Sequence, residues 1–192
     1  MHKSRLEAFS DGVIAILITI MVLELKVPRG PELSALKPLI PIFFSYSLSF
    51  VYLAIYWNSH HHLFQASNKV SGRILWANMH LLFWLSFVPF TTGWIAEANF
   101  EFIPVALYGI NLIMAGISYF ILSQVLIVEH GKNSSLAKAI GSDFKGKLSV
   151  VVYAIAISLA FWNTWIALTL YLLVAIMWLI PDRRIERVLE EK

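Results

Sequence analysis

Apolar and polar positions alternate along this chain in long blocks. Gly12 to Leu23 is free of charge and is closed by Glu24, Lys26 and Pro28. Further charge-free blocks run from Pro38 to about Ser59, from Ile74 to Ala96 and from Phe102 to Val128. The stretch Leu148 to Pro181 has no charged residue and is too long for one helix, and the polar pair Asn163–Thr164 divides it into a helical hairpin. About 20 apolar residues cross the hydrocarbon of a bilayer. The pattern therefore predicts six transmembrane helices, at about 5–27, 35–64, 71–96, 101–129, 146–163 and 164–181. Together they form a single all-α polytopic domain over residues 1–192.

Composition supports lipid as the solvent: 58% of residues are hydrophobic and 14% charged, where soluble domains carry roughly a quarter charged. The mean hydropathy is +0.70. No nucleic-acid partner is expected. Cysteine is absent, which removes disulfides and thiolate metal sites. No small-residue cleavage site follows the first apolar block, so the first helix is expected to be retained.

The loops carry an orientation signal. Lys3, Arg5, Lys69, Arg73, Lys132, Lys138, Lys145, Lys147, Arg183, Arg184, Arg187 and Lys192 fall on one side, and Lys26, Arg29 and Lys37 on the other. The positive-inside bias makes both termini cytoplasmic. Glu129 to Lys147 is the expected mobile loop. The tail Asp182 to Lys192 reads either as a short amphipathic surface helix or as a solvated positive stop signal.

The first helix is unusual. Its apolar part is short for a lipid-exposed span, and Ser10 and Asp11 lead into it. An unpaired carboxylate in a bilayer is costly, so a position inside an assembly suits this helix better. At about 100° per residue, Phe9, Gly12, Ile16, Ile20 and Leu23 fall within roughly 40° of Ile16, with Thr19 about 60° away and Asp11 about 140° away on the opposite flank. Ringed around an axis, the aliphatic face would form a hydrophobic constriction that gates by dewetting; ordinary packing is the plainer alternative.

Topology brings Arg5, Ser10 and Asp11, then His60, His61 and His62, then Asn78 and His80 to one depth on three helices. Such groups pair with one another in membranes, which leaves a structural hydrogen-bond network, a proton relay and a cation site open. Consecutive histidines point about 100° apart, so a metal site is the weakest of these. No phosphate-binding glycine loop, HExxH, GxSxG or TVGYG filter occurs, and no enzyme activity is expected.

Arg5-Leu6-Glu7-Ala8-Phe9-Ser10-Asp11 matches the Arg-x-x-x-Phe-Ser-Asp signature that opens the first helix of the transmembrane protein 175 family. Trp57-Asn58-Ser59-His60-His61, Asn78 and Pro89-Phe90-Thr91 agree as well. The chain thus resembles a prokaryotic member of this potassium channel family. The resemblance implies a homotetramer in a prokaryotic plasma membrane, a pore along the first helices without a P-loop, and potassium as the permeant ion with no cofactor. It also implies a constriction at Ile16, with Ile20 and Leu23 next along the pore and Thr19 as the hydroxyl favouring potassium. Arg5, Phe9, Ser10 and Asp11 would join a structural network with His61 and Asn78, either of these being the expected partner of Asp11. On helical spacing Arg5 instead falls about 20° from Ile16, at the inner mouth. The competing readings are a proton-coupled transporter or proton pathway through Asp11 and the histidines, and a non-transporting scaffold.

Overall fold

The computed structural model describes residues 2–65, 67, 70–131, 137 and 143–179. Among these the chain is all-α. Helix α1 spans Lys3–Val22, and a 3-10 turn at Leu33–Leu39 runs into α2 at Ile40–Gln65. Then follow α3 (Gly72–Ser86), α4 (Val88–Glu97), α5 (Phe102–His130), α6 (Phe144–Ala160) and α7 (Thr164–Leu179). Stacked end to end, α3 and α4 form one span, so six helical spans result, as the block pattern predicts.

Three stretches, Leu33–Gln65, Gly72–Glu97 and Phe102–His130, are long and apolar enough to cross a membrane by themselves, and Thr164–Leu179 is apolar but shorter. Helix α1 carries Lys3, Arg5, Glu7 and Asp11 in its N-terminal half, and α6 is shorter, at 17 residues. Large apolar side chains cover the outside: Trp76, Ile103, Val128 and Trp162 are all well exposed. Water does not tolerate such a surface, and lipid does.

Two boundaries differ from the sequence expectation. Helix α1 ends at Val22, not near residue 27, since Leu23 to Lys26 tighten into turns ahead of Pro28. The third span breaks at Phe87, because Pro89 has no N–H to donate to Leu85 and its ring crowds that carbonyl. Hydroxyls add bonds to the carbonyls beside the break: Thr91 Oγ1 donates to Phe87 O and Val88 O at 3.1 Å, and Thr92 Oγ1 to Val88 O at 2.6 Å. The hairpin opens at Phe161–Asn163 and its second helix begins at Thr164. Most of the expected mobile loop, and the tail Asp182 to Lys192, lie outside the described residues.

Helix α1 packs on α2, α3 and α4, whereas α6 and α7 pair closely and dock on α5. A belt of tyrosines joins the second group to α2. Tyr153 donates to the Tyr52 hydroxyl at 3.2 Å, and Tyr171 donates to Val105 O at 3.2 Å. Gly109 makes this approach possible: a Cβ there would fall on the Tyr171 hydroxyl and lie 2.7 Å from Ile157 Cγ1. Mid-helix Gly→Ala normally gains about 1 kcal/mol. Here the sign is expected to reverse, with Gly109→Ala losing about 1–3 kcal/mol to overpacking and lowering the thermal unfolding midpoint in detergent.

Candidate functional site

Helix α1 has two faces. Leu6, Ser10, Ile14, Leu17 and Met21, spaced by three or four residues, are buried against the bundle. The other face is open: Phe9 is 51% exposed, Ile16 56%, Ile20 44% and Leu23 74%. Arg5, Gly12 and Thr19 lie exposed on the same side. The stripe expected from spacing is therefore the face that α1 does not bury within its own chain. Thr19 donates its hydroxyl proton to Ile16 O at 2.9 Å, and among the described residues nothing donates to its oxygen.

The buried face is anchored by polar groups. Asn78 Nδ2 donates to Ser10 Oγ at 2.9 Å, and His60 Nε2 donates to Asn78 Oδ1 at 2.7 Å. Ser10 Oγ in turn donates to Leu6 O at 2.9 Å. All three side chains are buried. One carboxamide thus ties α2, α3 and α1 together at a single depth, and its donor and acceptor ends are both used. Asp11 sits at the edge of this layer and accepts from Trp57 Nε1 at 3.0 Å.

These contacts correct the expectation for Asp11. Neither His61 nor Asn78 is its partner. His61 accepts from Gln65 Nε2 at 2.8 Å and stacks on Trp57, reaching the layer only through that ring. Arg5 and Phe9 also stand apart from the network, because four residues separate them and both lie about 20° from Ile16, on the open face. Trp57 and His60 are the residues that sequence reasoning underrated. Trp57, near a span end, reads as part of an interfacial aromatic belt, while three successive histidines give no hint of which one faces inward. The available signal was spacing: Trp57, His60 and His61 lie three and four residues apart on one side of α2.

An all-α, six-span architecture, with one helix holding an apolar face away from its own bundle, defines a multi-pass membrane protein. Residues 5–89 match the family described as endosomal/lysosomal potassium channel TMEM175. The chain is 56% identical over 191 residues to a protein named potassium channel from Chryseobacterium sp. (strain P1-3), covering 100% of both. It is 37% identical over 83 residues to a human protein named endosomal/lysosomal proton channel TMEM175, covering 37% of this chain and 16% of that one. Among solved structures, it resembles that of a lysosomal potassium-selective channel TMEM175 homolog from Chamaesiphon minutus, with a TM-score of 0.80, 27% identity, and coverage of 94% of this chain and 97% of the other. The chain belongs to the TMEM175 family.

Proposed function

We propose that this protein is a potassium-preferring cation channel that works as a homotetramer, with both termini cytoplasmic and a pore lined by α1. The observation that carries this reading is the open face of α1, whose opposite face is held by the Ser10–Asn78–His60 chain. A helix held from behind presents Ile16, Ile20 and Leu23 to whatever lies in front. Four copies around an axis would close a ring of branched aliphatics, narrowest at Ile16, that opens and shuts by wetting. Aliphatic carbons do not replace a hydration shell, so selectivity would arise from differing dehydration costs at a tight ring, aided by the outward oxygen of Thr19. The preference for potassium over sodium is accordingly expected to be modest.

A proton pathway is the second reading, supported by the name of the human relative, a proton channel. The geometry favours it less. A carboxamide in the middle of the His60–Asn78–Ser10 chain does not readily hand a proton from its oxygen to its nitrogen, and Trp57 offers Asp11 a donor only. Flux from proteoliposomes separates the two. The channel reading expects non-saturating potassium flux that needs no pH gradient. Saturable flux driven by a pH gradient, and lost in an Asp11→Asn protein that still assembles, would establish the transporter instead; no flux of either ion would sink both.

A further inference from the structure

A cavity lies away from α1. It has a volume of about 410 Å³ and is lined by α2, α5, α6 and Trp178 of α7, within the roughly 300–1,000 Å³ of small-molecule sites. Its mouth, at the end of the bundle that holds the N-terminus, is marked by Asp143 and Lys147. From there it follows α6 inward to Tyr153, a distance of roughly 15 Å at 1.5 Å per residue. Ile55, Ile117 and Val150 give it an apolar wall, and Tyr56, Tyr119 and Phe120 an aromatic one.

The charge at the mouth selects the occupant. Asp143 stands at the N-terminus of α6 in a left-handed conformation (φ 44°), and among the described residues its carboxylate accepts one hydrogen bond, from Gly146 N at 3.2 Å. Among the described residues it has no ion pair. Burial pushes its carboxyl above the usual range, against the opposing pull of the Gly146 N–H and of Lys147. The carboxylate is therefore under-compensated. Lys147 is exposed and can turn to water. Aromatic faces also attract cations, and Lys145 already lies 5.9 Å over the Trp178 ring nearby. An anionic head would meet a carboxylate at a helix N-terminus whose N–H that same carboxylate has taken, and a neutral head would leave Asp143 as it is.

We propose that this cavity binds a protonated organic amine with an apolar chain, its ammonium on Asp143 and its chain lying along α6 toward Tyr153. The site is separate from the α1 face and does not depend on what that face conducts. Gly116 gives a means of blocking it: a Cβ there meets nothing closer than the Tyr56 hydroxyl at 3.8 Å, so a larger side chain would enter the cavity.

The test is thermal unfolding of the full chain in zwitterionic nanodiscs, titrated with dodecylamine, dodecanol or laurate. Dodecylamine is expected to raise the midpoint most. Asp143→Asn, which keeps an oxygen for Gly146 N, is expected to weaken the amine about tenfold, the value of one charge-assisted hydrogen bond, while leaving dodecanol unchanged. Gly116→Leu, and Val150→Phe from the opposite wall, should abolish the response to the amine. Equal shifts from all three amphiphiles, a preference for laurate, or a full amine response in both cavity-filling variants would overturn the proposal.

Discussion

Ile16→Asn is expected to raise single-channel conductance severalfold and to lower the potassium-over-sodium preference toward unity. Ile16 is 56% exposed within its own chain, so the substitution removes little intramolecular packing. On the proposed assembly it places four carboxamides where four branched aliphatics would otherwise exclude water. A hydrophobic constriction blocks ions because the pore dries there. Polar groups at the ring hold water, and ions then pass with more of their hydration shell, which erases much of the difference in dehydration cost. The neighbouring helical position gives the contrast. Ile14, two residues earlier, is 1% exposed and packs into the core, so Ile14→Asn is expected to impair folding and yield no channel to record. Bilayer recordings in which Ile16→Asn leaves both conductance and permeability ratio unchanged would remove Ile16 from the pore.

The second large effect is expected at Asn78. Asn78→Leu keeps the branched outline of the side chain but strips the acceptor from His60 Nε2 and the donor from Ser10 Oγ. Ser10 retains its bond to Leu6 O, so its loss is partial. His60, 1% exposed, is left with an unmet N–H, and a buried polar group without a partner costs about 1–3 kcal/mol. The consequence reaches beyond stability, because this carboxamide links α3 to both α1 and α2. A loosened α1 would no longer present its apolar face at a fixed angle. The expected result is a lower unfolding midpoint, a smaller tetramer fraction by size-exclusion chromatography, and reduced potassium flux. His60→Phe combined with Asn78→Leu should recover part of the loss in midpoint, since it removes the orphaned group. A wild-type midpoint and tetramer fraction in Asn78→Leu would show that the chain of bonds holds nothing in place.

Much of this is legible in the chain because a bilayer constrains sequence strongly. Every backbone group in hydrocarbon must be bonded internally, so charge-free blocks become helices and their lengths follow. The short first block, its Asp11 opening and the Ile16–Ile20–Leu23 stripe are visible for the same reason: one face of a helix is set by spacing alone. Side-chain partners are another matter. Asp11 could pair with any donor at its depth, and three helices offer several. Trp57 holds it because α2 turns that indole toward α1, while His61, one turn on, points to Gln65. Likewise, nothing local marks Asn78 as the bridge; its role depends on where α1 and α2 meet α3.

Determined by the sequence alone are the solvent, the number of spans and the two-faced character of α1. All of these rest on local backbone chemistry and on the periodicity of a single helix. Tertiary structure decided which face of α1 is buried, which of the three histidines carries the anchor, why Gly109 lets α7 approach, and that a cavity opens beside Asp143. These depend on distances between residues far apart in the chain, from 18 for His60 and Asn78 to 68 for Ser10 and Asn78. Helical spacing fixes directions within one helix, and only packing brings the directions of different helices together.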